Sequence, residues 1–395
     1  MQAKYERAHV LRAQWNAIEQ SVENKSLNTW QLRTLSALSK CRTSSLGGHI
    51  DGCTNCGNLR ISYNSCRNRH CPKCQGNERE AWIQAREKEL LPVAYFHVVF
   101  TLPSELNTLC MQYPRMMYAS LFDAAWDTIH TFSKDEKHLG ATTGMISILH
   151  TWGQQLTLHP HLHCIIPAGG LTKHHQWKHC KTKGNYLFPV KALSVVYRAK
   201  YIHHLRKHVA EHNAITEKQI VLPKNIIDEC FKKQWVVFAK KPFSGVKSVV
   251  EYLGRYTHKV AISNHRITAI DKVNDTITFK YKDYKANESK KQLTLNSIEF
   301  VRRYSLHILP KAFVRIRHYG ILSSTAKTKA IAAIRKQLPA KKEKPIKTRS
   351  ILYNPLQCIC CKKETMIQIL NFDQRGPPNN WKVFSKNFLQ IVKMN

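Results

Sequence analysis

Apolar residues follow two different spacings along this chain. Continuous or alternating apolar runs predict buried strands over residues 95–102, 143–149, 156–166 and 235–239. Residues 276–281 and 292–300 predict a further pair of strands on either side of a polar stretch. Helical spacing predicts helices over residues 1–40, 78–90, 113–132 and 246–258. Strands that alternate with helices, without the glycine fingerprint of a βαβ unit, predict an α+β domain.

The charge balance of the chain indicates what kind of partner it binds. The chain has 395 residues, with 62 Lys and Arg against 26 Asp and Glu, so its formal net charge is +36. This excess predicts a polyanionic partner, because surfaces that serve only solubility mix both signs. No apolar run approaches the ~20 residues that span a bilayer, and the N-terminal residues are polar. We therefore expect a cytoplasmic protein, or at least one that works in a nucleic-acid compartment, without a membrane partner and with 13 cysteines that are not structural disulfides.

Composition divides the chain into four parts. A helical segment, 1–40, precedes a cysteine- and glycine-rich module, 41–78, which has too few large apolar residues to fold without a metal. The α+β domain is expected over 92–320, and a basic tail over 321–395. Residues 321–350 carry nine Lys and Arg and one acid, which is typical of a solvated segment or of one that follows DNA phosphates.

The cysteines of the module have the spacing of a zinc ribbon. Two Cys-x2-Cys pairs can each give two thiolates to a tetrahedral Zn²⁺, and these are Cys53, Cys56, Cys71 and Cys74. Four further candidate ligands remain, namely Cys41, His49, Cys66 and His70. They leave open two interleaved zinc ions or one zinc ion with spare cysteines. Near the C-terminus, Cys358 and Cys361 form half a site without a visible partner.

A histidine triplet occupies the strand predicted over 156–166. Because alternate side chains share one face of a strand, His159, His161 and His163 would point to one side and Leu162 to a core. His161 and His163 are the expected metal ligands, and the third is Gln154 or His159, with Gln154 preferred. Imidazole with an amide oxygen suits Mg²⁺ or Mn²⁺, whereas an all-histidine set favours Mn²⁺ or another transition metal.

Two tyrosines lie four residues apart in the helix predicted over 246–258. Val249 and Leu253 belong to its apolar stripe, so Tyr252 and Tyr256 would lie on the flank, where a hydroxyl can reach a cleft. A metal held by histidines beside a tyrosine can cut a phosphodiester and keep one DNA end covalently attached. The two motifs together therefore predict a nuclease of the rolling-circle kind.

Three motifs carry a specific family resemblance. The segments TWGQ (151–154) with HPHLHC (159–164), YLGRYTHKVAISN (252–264) and CRNRHCPKC (66–74) resemble those of two-tyrosine HUH transposases of rolling-circle insertion sequences. Residues 302–310 and 315–320 are similar to the family's region after the tyrosines, and the resemblance covers about residues 35–325. It implies an HUH-endonuclease-like antiparallel sheet flanked by helices, preceded by a small zinc-ribbon-like module.

The resemblance also implies an activity. Such a protein nicks and rejoins single-stranded or hairpin transposon ends, and joins them to target DNA, through a 5′-phosphotyrosine on Tyr252 or Tyr256. Mg²⁺ or Mn²⁺ would assist at the histidine strand and Zn²⁺ would occupy the cysteines. The residues expected to contact DNA are Arg67, Arg69, Lys73 and Arg255. No helicase P-loop occurs in the sequence, so host helicase and replication proteins would unwind the DNA.

Two alternatives remain open at the level of sequence. A zinc-ribbon DNA-binding regulator without catalysis, or a decayed transposase, explains the charge and the cysteines but leaves the histidines and tyrosines unexplained. A plasmid replication initiator or relaxase would use the same chemistry on another DNA substrate.

Overall fold

The computed structural model describes most of the chain. The described residues are 4–23, 27–75, 89–181, 187–243, 259–283, 289–338 and 354–381, with the single positions 82, 83, 85, 86, 249, 254 and 388. The α-helices are α1 (Arg7–Ala13), α2 (Trp15–Glu23), α3 (Thr29–Lys40), α4 (Asn107–Gln112), α5 (Pro114–Lys134), α6 (Val190–Ile215), α7 (Lys224–Lys232), α8 (Ser297–Ser305) and α9 (Lys327–Gln337). The strands are β1 (Gly48–Cys53), β2 (Leu59–Tyr63), β3 (Tyr95–Thr101), β4 (Gly144–Trp152), β5 (Leu158–Pro167), β6 (Gly169–Leu171), β7 (Trp177–His179), β8 (Val237–Phe243), β9 (Ile267–Asp271), β10 (Thr276–Asp283), β11 (Ser289–Asn296), β12 (Ile316–Gly320) and β13 (Met366–Phe372).

A five-stranded antiparallel sheet with the order β12-β4-β5-β3-β8 forms the centre of the fold. Different helices pack on its two faces. Phe100, Leu162 and Cys164 point to one face and pack in a core with residues of α5 and α6. Ile148 and Ile165 point to the other face and pack with residues of α9. The expected α+β fold, with an antiparallel sheet flanked by helices, is confirmed.

The N-terminal helices pack on a second sheet of the order β11-β10-β9. Leu11 and Leu35 share a core with Phe279 and Phe300, so α1 and α3 pack against β10 and α8, which come much later in the sequence. A third sheet has the order β13-β1-β2, in which β1 is antiparallel to both neighbours. The C-terminal strand therefore completes a sheet that begins in the cysteine-rich module.

Most of the predicted strands and the helix over 113–132 occur as expected, with ends shifted by a few residues. The strand predicted over 292–300 is wrong in its last part, because β11 stops at Asn296 and α8 follows. The Asn296 side chain accepts a hydrogen bond from the Ile298 N–H at 2.9 Å and so caps that helix. The helices predicted over 78–90 and 246–258 lie outside the described residues, apart from single positions and from residues 89–90, which are not helical. Within the described part of the chain, no helix is long and apolar enough to cross a membrane.

The packing of α9 leads to a stability prediction. Ile334 is fully buried beside the central sheet, so Ile334→Ala should lower the free energy of unfolding by about 2–5 kcal/mol. Lys336→Ala, at an exposed position of the same helix, should change it by less than about 0.5 kcal/mol. The measurement is the urea midpoint of each variant. Equal midpoints for the two variants would show that α9 does not pack on this sheet.

Candidate metal centres

Three histidines from two adjacent strands converge on one face of the central sheet. In the β4–β5 register His150 lies opposite His161, and His163 follows two residues later, opposite Ile148. Alternate residues of a strand share a face, so these rings project away from the core that holds Leu162. One ligand atom from each histidine lies within 4.8 Å of the others. The three imidazoles can therefore hold one metal ion.

Hydrogen bonds orient two of these rings. The Nδ1 atom of His161 donates to the carbonyl oxygen of His159 at 2.6 Å. The Nδ1 atom of His163 lies 3.0 Å from Nε2 of His97, a buried residue on β3. A metal would bind both rings through Nε2, with the proton of His163 held on Nδ1 and donated to His97. Sequence reasoning missed His97, although it occupies an alternate position in a predicted strand.

The site favours neutral imidazoles. Burial lowers the pKa of His161 to about 4. Burial also lowers the pKa of His163, and the nearby rings of His150, His161 and His97 and the Lys259 ammonium lower it further. A neutral imidazole has the lone pair that a metal ion requires, so these ligands need lose no proton at pH 7.

The structure places two of the predicted ligands in the group of three histidines and leaves the other two out of it. His161 and His163 belong to the group of three, and His150 takes the third position that was assigned to Gln154 or His159. The Gln154 side chain instead accepts a hydrogen bond from the N–H of Lys282, a residue of β10, at 3.5 Å. The His159 side chain is exposed near the start of β5, with its ring centroid 5.1 Å from that of His161. The predicted strand over 143–149 ended one residue before His150, which is why that ligand was missed.

The predicted nucleophiles Tyr252 and Tyr256, with Arg255, lie outside the described residues. Two neighbours in sequence are described. Val249 is fully buried in the core that contains Ile148 and Ile165. A Cβ added at Gly254 would meet the side chain of Ile83, which belongs to the same core. Val249 and Gly254 thus both lie against the core on the side of the sheet that carries the histidines.

Eight cysteines of the described residues form two groups of four, and all are free thiols. The first group contains Cys41, Cys66, Cys71 and Cys74, and the second contains Cys53, Cys56, Cys358 and Cys361. In the first group the Sγ atom of Cys74 lies 3.5 Å from that of Cys41 and 3.6 Å from that of Cys66. A tetrahedral zinc ion with Zn–S bonds of about 2.3 Å separates its sulfurs by about 3.8 Å. The first group therefore fits Zn²⁺.

This arrangement corrects the single ribbon expected from Cys53, Cys56, Cys71 and Cys74, because the structure places the two pairs in different groups. The cause is the chain path around each pair. Strand β13 pairs with β1 and brings the C-terminal cysteines beside Cys53. Helix α3 ends at Lys40 and leaves Cys41 beside the turn that carries Cys71.

The two histidines proposed as zinc ligands belong to neither group. The Nε2 atom of His49 lies 3.5 Å from the Asp51 carboxylate. His70 is buried, which lowers its pKa, and its carbonyl oxygen accepts hydrogen bonds from the Tyr304 hydroxyl at 3.0 Å and the Arg7 guanidinium at 3.1 Å. The main chain of His70 thus links the module to the N-terminal helices and α8.

Several basic residues of the module make contacts within the protein. The Arg69 guanidinium donates to the carbonyl oxygens of Pro310, at 2.9 Å, and Phe313. The Lys73 ammonium lies 2.5 Å from the Glu6 carboxylate, whereas Arg67 is exposed at a left-handed backbone position with φ 49°. DNA contact by Arg67, Arg69 and Lys73 stays a prediction, and for Arg69 a structural role stands beside it.

Two segments of the chain match known protein families. Residues 144–330 match a family described as putative transposase, and residues 10–102 match one described as transposase zinc-binding domain. A conjugative relaxase, TrwC, solved in complex with oriT DNA, aligns over 43% of this chain and 73% of its own, at 12% identity. Its TM-score of 0.22 is too low to establish a common fold.

Two relatives match over most of their length. The putative transposase y4qJ of Sinorhizobium fredii is 40% identical over 381 residues, which cover 91% of this chain and 94% of the relative. The transposase for insertion sequence element IS801 of Pseudomonas savastanoi pv. phaseolicola is 27% identical over 362 residues, which cover 86% and 84%. With these matches and the zinc-binding segment, the chain belongs to the IS91-type family of insertion-sequence transposases.

Proposed function

We propose that this protein is a rolling-circle transposase that nicks and rejoins single-stranded transposon ends through a 5′-phosphotyrosine intermediate. The observation that carries the proposal is the convergence of His150, His161 and His163 on one face of the central sheet. Val249 and Gly254, which flank Tyr252 in sequence, pack in the core on that same face. This favours a cleft in which a tyrosine and the histidines reach one phosphate.

The metal ligands are proposed to be His150, His161 and His163. An all-histidine set favours Mn²⁺ or another transition metal over Mg²⁺. An ion held by these residues would polarise a phosphate oxygen and offset negative charge in the transition state. His97 supports this set without binding the metal. Its ring accepts a hydrogen bond from the Nδ1–H of His163 and so fixes the orientation of the His163 ring.

The chemical step is a transesterification on a tyrosine. The phenolic oxygen of Tyr252 or Tyr256 forms a bond to phosphorus as the bond from phosphorus to the 3′-oxygen breaks. The phenol loses its proton, and the departing 3′-oxygen gains one and becomes a hydroxyl. The 5′-phosphotyrosine conserves the energy of the phosphodiester, so a later hydroxyl can rejoin the strand without ATP. Two tyrosines allow two strands to be held during one exchange.

Single-stranded DNA is the proposed substrate, in agreement with the net charge of +36. Phe238 on the edge strand β8 is half exposed and pairs with Val99, which in turn pairs with His163. These positions form one row across the sheet. An exposed aromatic ring in the row of a metal ligand is suited to stack with a base next to the bound phosphate.

The tyrosines are tested by covalent trapping. Purified protein is mixed with labelled single-stranded DNA from the ends of its own element and with Mn²⁺, and the product is denatured. We expect a DNA adduct whose mass maps to Tyr252 or Tyr256. Tyr252→Phe and Tyr256→Phe should each remove the adduct at that position and leave DNA affinity unchanged. Tight DNA binding without any adduct would instead indicate a binding protein without catalysis.

The ligand set is tested by comparing His150→Ala with His159→Ala. Loss of His150 leaves two ligands, so metal-dependent cleavage should fall at least about 100-fold. The exposed His159 side chain should be replaceable with a change of less than about threefold, because it is the backbone carbonyl of His159 that orients His161. The measurement is the cleavage rate of each variant as a function of Mn²⁺ concentration. The reverse order of effects would restore His159 as the third ligand.

The orienting role of His97 predicts a graded loss of metal affinity. His97→Leu removes the acceptor for the His163 Nδ1 proton and should weaken Mn²⁺ binding by about 10- to 100-fold. His97→Gln keeps an acceptor oxygen and should lose less. Binding is measured on DNA-free protein by the electron paramagnetic resonance signal of unbound Mn²⁺. Equal affinity of His97→Leu and the wild type would rule out this role.

A further inference from the structure

The second cysteine group joins two distant parts of the chain. Cys53 ends β1 and Cys56 follows it, whereas Cys358 and Cys361 precede β13, about three hundred residues later. The matched zinc-binding segment ends at residue 102 and does not include the C-terminal pair. We propose that these four cysteines bind a second zinc ion, which fastens residues 354–381 to the N-terminal module.

The two pairs have the same local conformation, that of a zinc knuckle. In the first, the Gly57 N–H donates to the Cys53 carbonyl oxygen at 2.9 Å, and Gly57 has φ 72°. In the second, the Lys362 N–H donates to the Cys358 carbonyl oxygen at 3.0 Å, and Lys362 has φ 63°. A positive φ is costly for a lysine, so this turn requires an interaction that holds it.

The sulfur separations distinguish a metal site from disulfides. The Sγ atom of Cys53 lies 3.6 Å from that of Cys361, and that of Cys56 lies 3.6 Å from that of Cys358. Disulfide sulfurs are about 2.05 Å apart, whereas sulfurs around a tetrahedral zinc ion are about 3.8 Å apart. Thr365 Oγ1 lies 3.0 Å from the Cys53 Sγ and can donate to the thiolate. The four sulfurs therefore match a zinc site made of four cysteine thiolates.

Apolar packing around the four cysteines is sparse. The core there consists, among the described residues, of Cys53, Cys358 and Met366, with Cys56 and Cys361 partly buried against it. It adds little to the β1–β13 ladder and the edge-on contact of Tyr63 with Phe372, and small domains with sparse cores use a metal to offset the entropy of ordering. The zinc ion would supply that missing stabilisation.

Polar contacts between the two knuckles show that the pairing is specific. The Thr54 N–H donates to the Thr365 carbonyl oxygen at 3.0 Å. The Lys363 ammonium donates to the Asn55 side-chain oxygen at 3.0 Å. The Arg60 guanidinium, which also pairs with Asp51, donates to the Pro355 carbonyl oxygen at 2.9 Å. These contacts fix the orientation in which the two cysteine pairs face each other.

The test counts zinc held by thiolates in the full-length protein. Dialysis against EDTA first removes ions from the histidine site, and a mercurial reagent then releases thiolate-bound zinc to a colorimetric chelator. We expect two zinc ions per wild-type chain, one for each cysteine group. The double variant Cys358→Ser/Cys361→Ser should hold one. Cys360→Ser, which changes an exposed neighbour outside both groups, should hold two.

A conservative variant and a footprint cover the case in which the double variant does not fold. Cys361→His should retain the second zinc, because sets of three cysteines and one histidine also bind zinc. In the wild type, alkylation followed by mass spectrometry should show Cys53, Cys56, Cys358 and Cys361 protected and Cys360 modified. One thiolate-held zinc in the wild type, or ready alkylation of Cys358 and Cys361, would overturn the proposal. These readouts contain no DNA, so they are independent of the proposed transposase activity.

Discussion

The antiparallel register between β4 and β5 is the constraint on which the candidate catalytic site depends. It places His150 opposite His161 and Ile148 opposite His163. A shift by one residue would turn the histidines toward α5 and α6 and Leu162 toward the opposite face. Such a shift would bury imidazoles in an apolar core and expose large apolar side chains. The same burial that stabilises the sheet therefore also fixes the geometry of the three candidate ligands.

One face of the sheet serves both stability and chemistry. Ile148 and Ile165 are buried on that face with residues of α9 and with Val249, and the histidines occupy its other end. The apolar surroundings that lower the pKa of His161 and His163 keep the imidazoles neutral, which a metal requires. The cost of placing histidines in this environment is offset by the oriented hydrogen bonds to the His159 carbonyl oxygen and His97.

The sequence predicts the strands and the candidate metal-binding motifs better than it predicts which side chains lie together in one site. The period-two pattern that places His161 and His163 on one face is local, so it is readable without the fold. His150 and His97 join them through strand pairing, which depends on register across distant segments. The sequence pattern does not predict helix α6, because lysines and histidines interrupt the apolar spacing of its buried residues, among them Leu193, Tyr197 and Tyr201. The grouping of the cysteines also depends on β13 reaching β1.

The cysteine-rich module is connected to the histidine site by a short series of contacts. Arg69, between Cys66 and Cys71 of the first group, donates to the carbonyl oxygens of Pro310 and Phe313. Three residues after Phe313, strand β12 begins and pairs with β4, the strand that carries His150. A planar guanidinium that donates to two carbonyl oxygens holds both in a fixed orientation. The zinc-binding segment is thus hydrogen-bonded to the stretch of chain that leads into β12, and β12 in turn pairs with the strand of His150.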